Sequence, residues 1–451
     1  MAHRTDWFYQ AGFGVFVHYL NGLQNNAEQV HSLGRQTSWD ECVREFDTKR
    51  FAETMHEVGA GYVVFTVMQI TRFMIAPNET FDRITGYKPG EACATRDLID
   101  DLYQSLSRYN IPLMLYYTGD GPRGDPKAAE AFGWQTPVTH DFVRKWAAVA
   151  AEYGERYREK VRGWWVDGCY RWLGYNDDKL AILAEGLRAG YPDRIIAFNP
   201  GVEKHVSPYS KHEDYTCGEQ NRFLDMPPGR FVDGEQWHLL APLGPTWAQP
   251  GMQCTKRELA EYVFDVHQRG GVVSIDVLLF RDGTLDRSQI EVLKAIRHEL
   301  DHGAARPPIP PGNLAYRKPA RLLSLDGSHE LEVNAGIHSP RRGVDGRLDT
   351  IALAGGEWPW TYEVDLVNTV ALRRIKVSFG SGYATHFEIR VSRDGENWEK
   401  IAEKQDHDGS PFEVALEAPV TARYIRVLGI KPDGPNQPGG QMSIAELEAY
   451  E

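Results

Sequence analysis

Over about the first 300 residues, short apolar runs alternate with longer amphipathic ones, and this alternation constrains the fold more than any other feature. Strands are expected over Phe13–His18, Tyr62–Val67, Pro112–Tyr117, Val161–Asp167, Ile195–Asn199 and Val272–Leu279. Between them, Phe46–Val58, Asp97–Arg108, Phe142–Lys160 and Lys256–Gln268 have helical spacing. Leu180, Leu183 and Leu187 mark one further helix, and Ile290, Leu293, Ile296 and Leu300 share the face of another. Strands that alternate with helices form a parallel sheet, and the near-eightfold repetition favours an α/β fold of the (β/α)8 TIM-barrel type. This domain is assigned to residues 1–302.

Gly303–Asn313 (GAARPPIPPGN) breaks the pattern. Its prolines remove backbone donors and stiffen the chain, so residues 303–316 are read as a Pro-rich linker. Short strands with turn residues follow, among them Leu372–Phe379, Thr385–Ser392 and Arg423–Leu428, with a hairpin-type turn at Asp394-Gly395. Residues 317–451 therefore read as an antiparallel β-sandwich domain.

The stretch most suggestive of chemistry is Val161–Gly168 (VRGWWVDG), a buried strand that runs into Asp167 with a glycine to turn the chain. Barrel strands point their C-terminal ends into the active site. Asp167 lies too far upstream to cap the helix that begins near Asn176. Tryptophans beside a carboxylate suit a sugar, because flat apolar rings pack on the C–H face of a pyranose. Polar groups recur at the other strand ends: His18, Gln69, Tyr117, Asn199 and Glu219. A lone His18 would read as a structural histidine, and His212–Gln220 (HEDYTCGEQ) as a solvated acidic loop, but one barrel mouth would gather them all. Two carboxylates across an aromatic-lined pocket are the minimum equipment for glycoside hydrolysis, one ionised and one holding a proton. Asp167 and Glu219 are that pair, with Glu213 and Glu235 as further candidates for the acid.

Other functions are disfavoured. Asp and Glu total 63 against 50 Lys and Arg, a net charge of -13, which argues against nucleic acid and anionic membranes as partners. No apolar run reaches the ~18 residues of a membrane span, and the N-terminus lacks the apolar core of a signal peptide. The five cysteines are scattered without a CxxC, as for free thiols in a reducing compartment, so a cytoplasmic location is expected. There is no Walker motif, no GxGxxG after a strand and no GxSxG, and the spacing of His205, His212 and Cys217 matches no usual zinc pattern. Catalysis would need no cofactor. A homo-oligomer is compatible with the sequence.

The chain resembles glycoside hydrolase family 29, the retaining α-L-fucosidases, over roughly residues 5–302. Phe13–Tyr19 (FGVFVHY) is similar to the family's FGIFIHW strand, and Ser38-Trp39-Asp40 to its EWY segment. Phe46–Phe73 (FDTKRFAETMHEVGAGYVVFTVMQITRF) follows FDAxxWAxxxKxAGAKYVVxTxKHHDGF, and Arg96-Asp97-Leu98 with Leu113–Tyr117 follows RDLV…GLYYS. Val263–Gly283 (VFDVHQRGGVVSIDVLLFRDG) resembles LVDVVSKGGNLLLNIGPxxDG. The resemblance places the nucleophile, the Asp of W-x-D, at Asp167, and the acid/base at Glu219 in DYTCGE. It also places His18, Trp39, Gln69 and Trp165 in the sugar subsite. Gln69 and Ile70 replace the family's histidine pair, and Ile275–Leu278 replaces NIGP. Three readings therefore stand. They are an exo-acting α-L-fucosidase type of hydrolase, a related retaining α-glycosidase for another sugar such as an α-galactoside, and a non-catalytic carbohydrate-binding protein on a degenerate barrel.

The C-terminal part resembles the galactose-binding-like fold of discoidin and family 32 carbohydrate-binding modules. The likeness runs through Val344–Thr350, Glu357–Leu366, Phe387–Trp398, Arg423–Val427 and Ile444–Glu448. It implies a structural calcium, with Asp345, Thr350 and Glu446 as side-chain candidates. Otherwise this domain is a bracing lobe without a ligand.

Overall fold

The structure, a computed structural model, describes residues 3–203, 205–223, 225–303, 312–331, 339–354, 359–380, 382–431 and 442–451. The proline run of the expected linker and residues 357–358 lie outside them. Two compact units emerge: Met1–Phe223 with Pro227–His302, and Leu224–Met226 with Gly303–Glu451.

The first unit is built on β1 (Phe13–Val17), β2 (Tyr62–Thr66), β3 (Leu113–Thr118), β4 (Val161–Asp167), β5 (Ile195–Phe198), a small hairpin of β6 (Phe231–Val232) and β7 (Glu235–Gln236), β8 (His238–Pro242) and β9 (Val272–Val277). All but the hairpin join one parallel seven-stranded sheet in the order β5-β4-β3-β2-β1-β9-β8. The sheet curls because β5 and β8 share one further partner. Residues 214–220 bond to the β5 edge through Asp214 N–H to Ile196 O (2.8 Å), and to the β8 edge through Gln220 N–H to Leu240 O (2.8 Å). This irregular run supplies the eighth stave of the barrel. Gly218 explains why it can pack so close: its φ is +63°, and a Cβ there would lie 1.9 Å from His238 O.

Helices cover the outside. Their starts follow from local capping: Asp47, Asn176 and Thr255 each accept backbone N–H bonds of the first turn, and Thr255 forms a capping box with Glu258. The interior is filled by Phe8, Phe16, Tyr62, Val64, Met114, Tyr116, Trp165, Tyr215 and Leu240, among others. Phe8 comes from the N-terminal helix Asp6–Gln10 and is fully buried against Tyr62 and Tyr215. Burying such a side chain contributes about 1.5–3 kcal/mol. With one end of the lumen filled in this way, the site lies at the other, where the strands end.

The second unit is antiparallel throughout. It consists of β10 (Ala320–Ser324), β11 (Trp360–Phe379), β12 (His386–Ser392), β13 (Glu399–Lys404), β14 (Phe412–Lys431) and β15 (Ile444–Tyr450). The order is β10-β11-β14-β12-β13, with β15 paired to β11. The two long strands stay paired through irregularities after Asp365 and Leu372. Leu322, Tyr362, Val364, Ile375, Val377, Phe387, Ile425 and Leu447 belong to its core.

Candidate active site

Where the barrel strands end, a cleft of about 560 Å³ opens, lined by His18, Gln69, Tyr116, Trp165, Asp167, Glu219 and Trp247, with Phe16 and Leu240 beneath. Asp167 is the last residue of β4, and the chain turns away at Gly168 with φ +64°. A Cβ at Gly168 would lie 2.7 Å from Asp120 Oδ1, so the turn needs glycine. Four donors hold the Asp167 carboxylate. Oδ1 accepts from Gly168 N–H (2.7 Å), the Tyr170 hydroxyl (2.8 Å) and Asn199 Nδ2 (2.9 Å), while Oδ2 accepts from the Tyr116 hydroxyl alone (2.7 Å). Oδ1 is saturated, and Oδ2 keeps a lone pair for a substrate.

Glu219 sits on the eighth stave. Its Oε2 accepts from the same Asn199 Nδ2, at 2.6 Å. Because one nitrogen bridges both acids, the two oxygens are separated by at most the sum of these bonds, about 5.5 Å, and retaining glycosidases hold their carboxyl groups about 5–5.5 Å apart. Burial, reinforced by the charge of Asp167, pushes the Glu219 carboxyl up to about 7, against the opposing pull of the Asn199 bond. Tyr116 connects this pair to Gln69, whose Nε2 donates to its hydroxyl (2.9 Å), and its ring stacks on Trp165 (5.6 Å, 17°).

On the opposite wall, His18 Nδ1 bonds Asp276 Oδ1 (2.7 Å), and Asp276 Oδ2 accepts from Ala248 N–H (2.6 Å). One buried carboxylate thus fixes both the histidine and the loop that carries Trp247, whose ring centre lies 6.1 Å from that of His18. Ile70 holds φ +64°, an unfavourable conformation for a β-branched residue; its carbonyl accepts from Gly124 N–H (2.8 Å).

Of the residues expected in the site, Asp167, Glu219, His18, Gln69, Trp165 and Asn199 come together here. Two do not. Tyr117 is fully buried on the outer face of β3, with its hydroxyl on Trp146 O (3.2 Å); its neighbour Tyr116 faces the cleft instead, since adjacent strand residues alternate. Trp39 is buried between Tyr19 and Phe73, and its Nε1–H donates to Met74 O (2.8 Å). Trp164 also faces outward, donating to Leu187 O (3.0 Å). Glu213 is spent on the backbone N–H groups of Tyr209, Phe198 and Ser210, and Glu235 does not line the cleft. Sequence reasoning missed Tyr116, Tyr170, Trp247 and the pairing role of Asp276. Among the described residues, no cluster of three or more His, Cys, Asp or Glu is arranged to hold a metal, and no helix is long and apolar enough to cross a membrane.

A family model described as Alpha-L-fucosidase matches residues 36–301, and one described as F5/8 type C domain matches residues 328–447. Among solved structures, a putative alpha-L-fucosidase from Bacteroides thetaiotaomicron is 15% identical, with 100% of this chain and 97% of that one covered and a TM-score of 0.48. A GH29 fucosidase from Ruminococcus gnavus, solved in complex with fucose, is 14% identical over 99% of this chain and 94% of its own, with a TM-score of 0.44. Chitosan-binding module 1 of a chitosanase/glucanase from Paenibacillus sp. IK-5 is 26% identical over 31% of this chain and 98% of its own, with a TM-score of 0.26. No curated protein matches the chain. The 36–301 match spans more than half of the sequence and contains both carboxylates of the cleft, so the chain belongs to the alpha-L-fucosidase family, family 29 of the glycoside hydrolases, and carries an F5/8 type C domain after its barrel.

Proposed function

We propose that the protein is a retaining, exo-acting glycoside hydrolase of α-L-fucosidase type that removes a terminal α-L-fucosyl or related sugar from oligosaccharides or glycosides. The observation that supports this reading is the Asn199 amide, which bonds Asp167 Oδ1 and Glu219 Oε2 at once and so holds these two oxygens closer than the ~6.5–9.5 Å that inverting enzymes leave between their carboxyl groups. Asp167 Oδ2 attacks the anomeric carbon as the glycosidic C–O bond breaks, and Glu219 gives its proton to the departing oxygen. Water then attacks the same carbon and loses its proton to Glu219, and Asp167 leaves as a carboxylate. His18, Gln69, Trp165 and Trp247 hold the sugar. The chemistry uses no cofactor. The five free thiols suit a reducing compartment, and a cytoplasmic setting is part of the proposal.

Gln69 and Ile70, both at the cleft, favour a second reading, a retaining α-glycosidase for another hexoside such as an α-galactoside. A panel of 4-nitrophenyl glycosides decides between them. The first reading expects turnover of the α-L-fucoside well above all others; a preference for the α-D-galactoside would establish the second, and sugar binding without turnover would make the protein a lectin-like barrel.

A structural calcium in the F5/8 type C domain is part of the same proposal. Asp345 and Glu446 are both buried, Thr350 Oγ1 lies 2.9 Å from each Asp345 carboxyl oxygen, and Arg342 Nη1 stands 3.3 Å from Oδ2. Glu446 Oε2 accepts from Gly346 N–H (3.0 Å), whereas Oε1 has no hydrogen-bond partner. An orphaned carboxylate oxygen beside a second carboxylate is what a hard, oxygen-seeking cation satisfies, so Asp345, Thr350 and Glu446 would hold it and its charge would offset theirs. Without the ion, burial and the nearby Asp345 push Glu446 up to about 9 from an ordinary value of 4.5. A folded value above the unfolded one gives stability that is full below the unfolded value and is lost as pH rises through the folded one. In EGTA, the melting temperature of the full chain should therefore fall between about pH 5 and pH 9, and less so in Glu446→Gln. Calcium at a hundredfold excess over its Kd should add about 2.7 kcal/mol near pH 8 to the wild type alone. An equal calcium response in Glu446→Gln would remove Glu446 from the site.

A further inference from the structure

The turn after the nucleophile carries an indole that none of the steps above uses. Trp172 sits in the single helical turn Arg171–Leu173 and is 67% exposed. Its ring stacks on Tyr170 (5.6 Å, 17°), and Tyr170 donates its hydroxyl to Asp167 Oδ1 (2.8 Å). The turn is anchored on both sides. Leu173 is buried and its carbonyl accepts from Val138 N–H (2.8 Å), while the Arg171 guanidinium covers the ring of Tyr209 at 5.2 Å. A large apolar ring held in water on a fixed scaffold gains burial when something packs on it, and loses little freedom in doing so.

We infer that Trp172, backed by Tyr170, is the stacking platform for the leaving-group sugar, a pyranose joined to the residue being removed. This rests on the glycosidase reading above. The sugar under attack occupies the cleft of His18, Gln69, Trp165 and Trp247, which Trp172 does not line. The leaving oxygen departs beside its proton donor, Glu219. Tyr170 lies near both acids: burial, then the charges of Asp167 and Glu219, raise its phenol well above the usual range. One hydrogen bond, one phenol ring and one stacking contact lead from the nucleophile to the indole. The exposed face of an indole is the surface on which the C–H face of the second ring would lie.

The test compares kcat/KM for 2′-fucosyllactose, whose leaving group is lactose, with that for α-L-fucosyl fluoride, whose leaving group is a single atom. Trp172→Ala should lower the ratio of the two about tenfold, and Trp172→Phe should keep it within about threefold. Lactose itself, observed by saturation-transfer NMR on the full chain, should contact the wild type and not Trp172→Ala. This readout does not depend on turnover. If the wild type cleaves neither substrate yet still contacts lactose through Trp172, the fucosidase reading fails and the platform stands. An unchanged ratio with unchanged lactose contact in Trp172→Ala overturns the platform. So does an unchanged ratio accompanied by loss of a dimer in sedimentation, which would assign the indole to contact between copies of the chain.

Discussion

Asp167→Ala should lower turnover of an activated α-L-fucoside by roughly a thousandfold or more, because it deletes the atom that forms the covalent bond. The loss should be catalytic. Asp167 lines the open cleft, so water can fill the space its carboxylate vacates and meet the four former donors there, and melting should stay within a few degrees of the wild type. Added azide should occupy the space vacated by the carboxylate and attack the anomeric carbon, giving a glycosyl azide of inverted configuration. Residual turnover above a hundredth of wild type, without an azide effect, would remove Asp167 from the nucleophile's role.

Glu219→Gln should slow substrates with poor leaving groups by about 10²–10⁴-fold and activated aryl glycosides far less, since only the former need a proton to depart. The pH profile supplies the sign. Glu219 acts as an acid in its protonated form, and its carboxyl is raised to about 7, so kcat/KM should fall as pH rises through that value. Glutamine cannot ionise, so the variant should lose this alkaline limb, and azide should restore part of its rate on activated substrates by attacking the glycosyl-enzyme in place of water, a step that needs no base. Asn199→Ala removes the bond that favours the Glu219 carboxylate, so in that variant the limb should move to higher pH. A Glu219→Gln enzyme that kept the limb and ignored the leaving group would assign the acid elsewhere.

The parts of this site legible in the sequence were those that local chemistry dictates. A carboxylate that closes an apolar strand before a glycine, as at Asp167-Gly168, has few other uses, and His18 and Asn199 stand at strand ends in the same way. The inner and outer faces of β3 were not legible. Every residue from Leu113 to Thr118 is buried, because the lumen packs one face and helices the other, so no alternation distinguishes Tyr116 from Tyr117. Trp39 failed for a related reason: an indole satisfied by a backbone carbonyl is core, and nothing local separates it from one that meets a sugar. Glu219 lies on a stave without regular strand pairing; its place among the acidic residues after Ile195–Asn199 made it a candidate, and the motif around it gave it the acid/base role. Trp247 reaches the cleft on a loop pinned through Ala248 by Asp276, a contact between distant segments that no spacing rule records.

Mass spectrometry after reaction with 2-deoxy-2-fluoro-α-L-fucosyl fluoride tests the central claim most directly, because the fluorine at C2 slows both steps while the reactive fluoride at C1 speeds only the first, so the covalent intermediate accumulates. The account predicts a single added 2-fluorofucosyl group on the peptide that contains Asp167, and none in Asp167→Ala. A label on any other residue, or turnover of α-L-fucosides to the inverted sugar with no label, would contradict it.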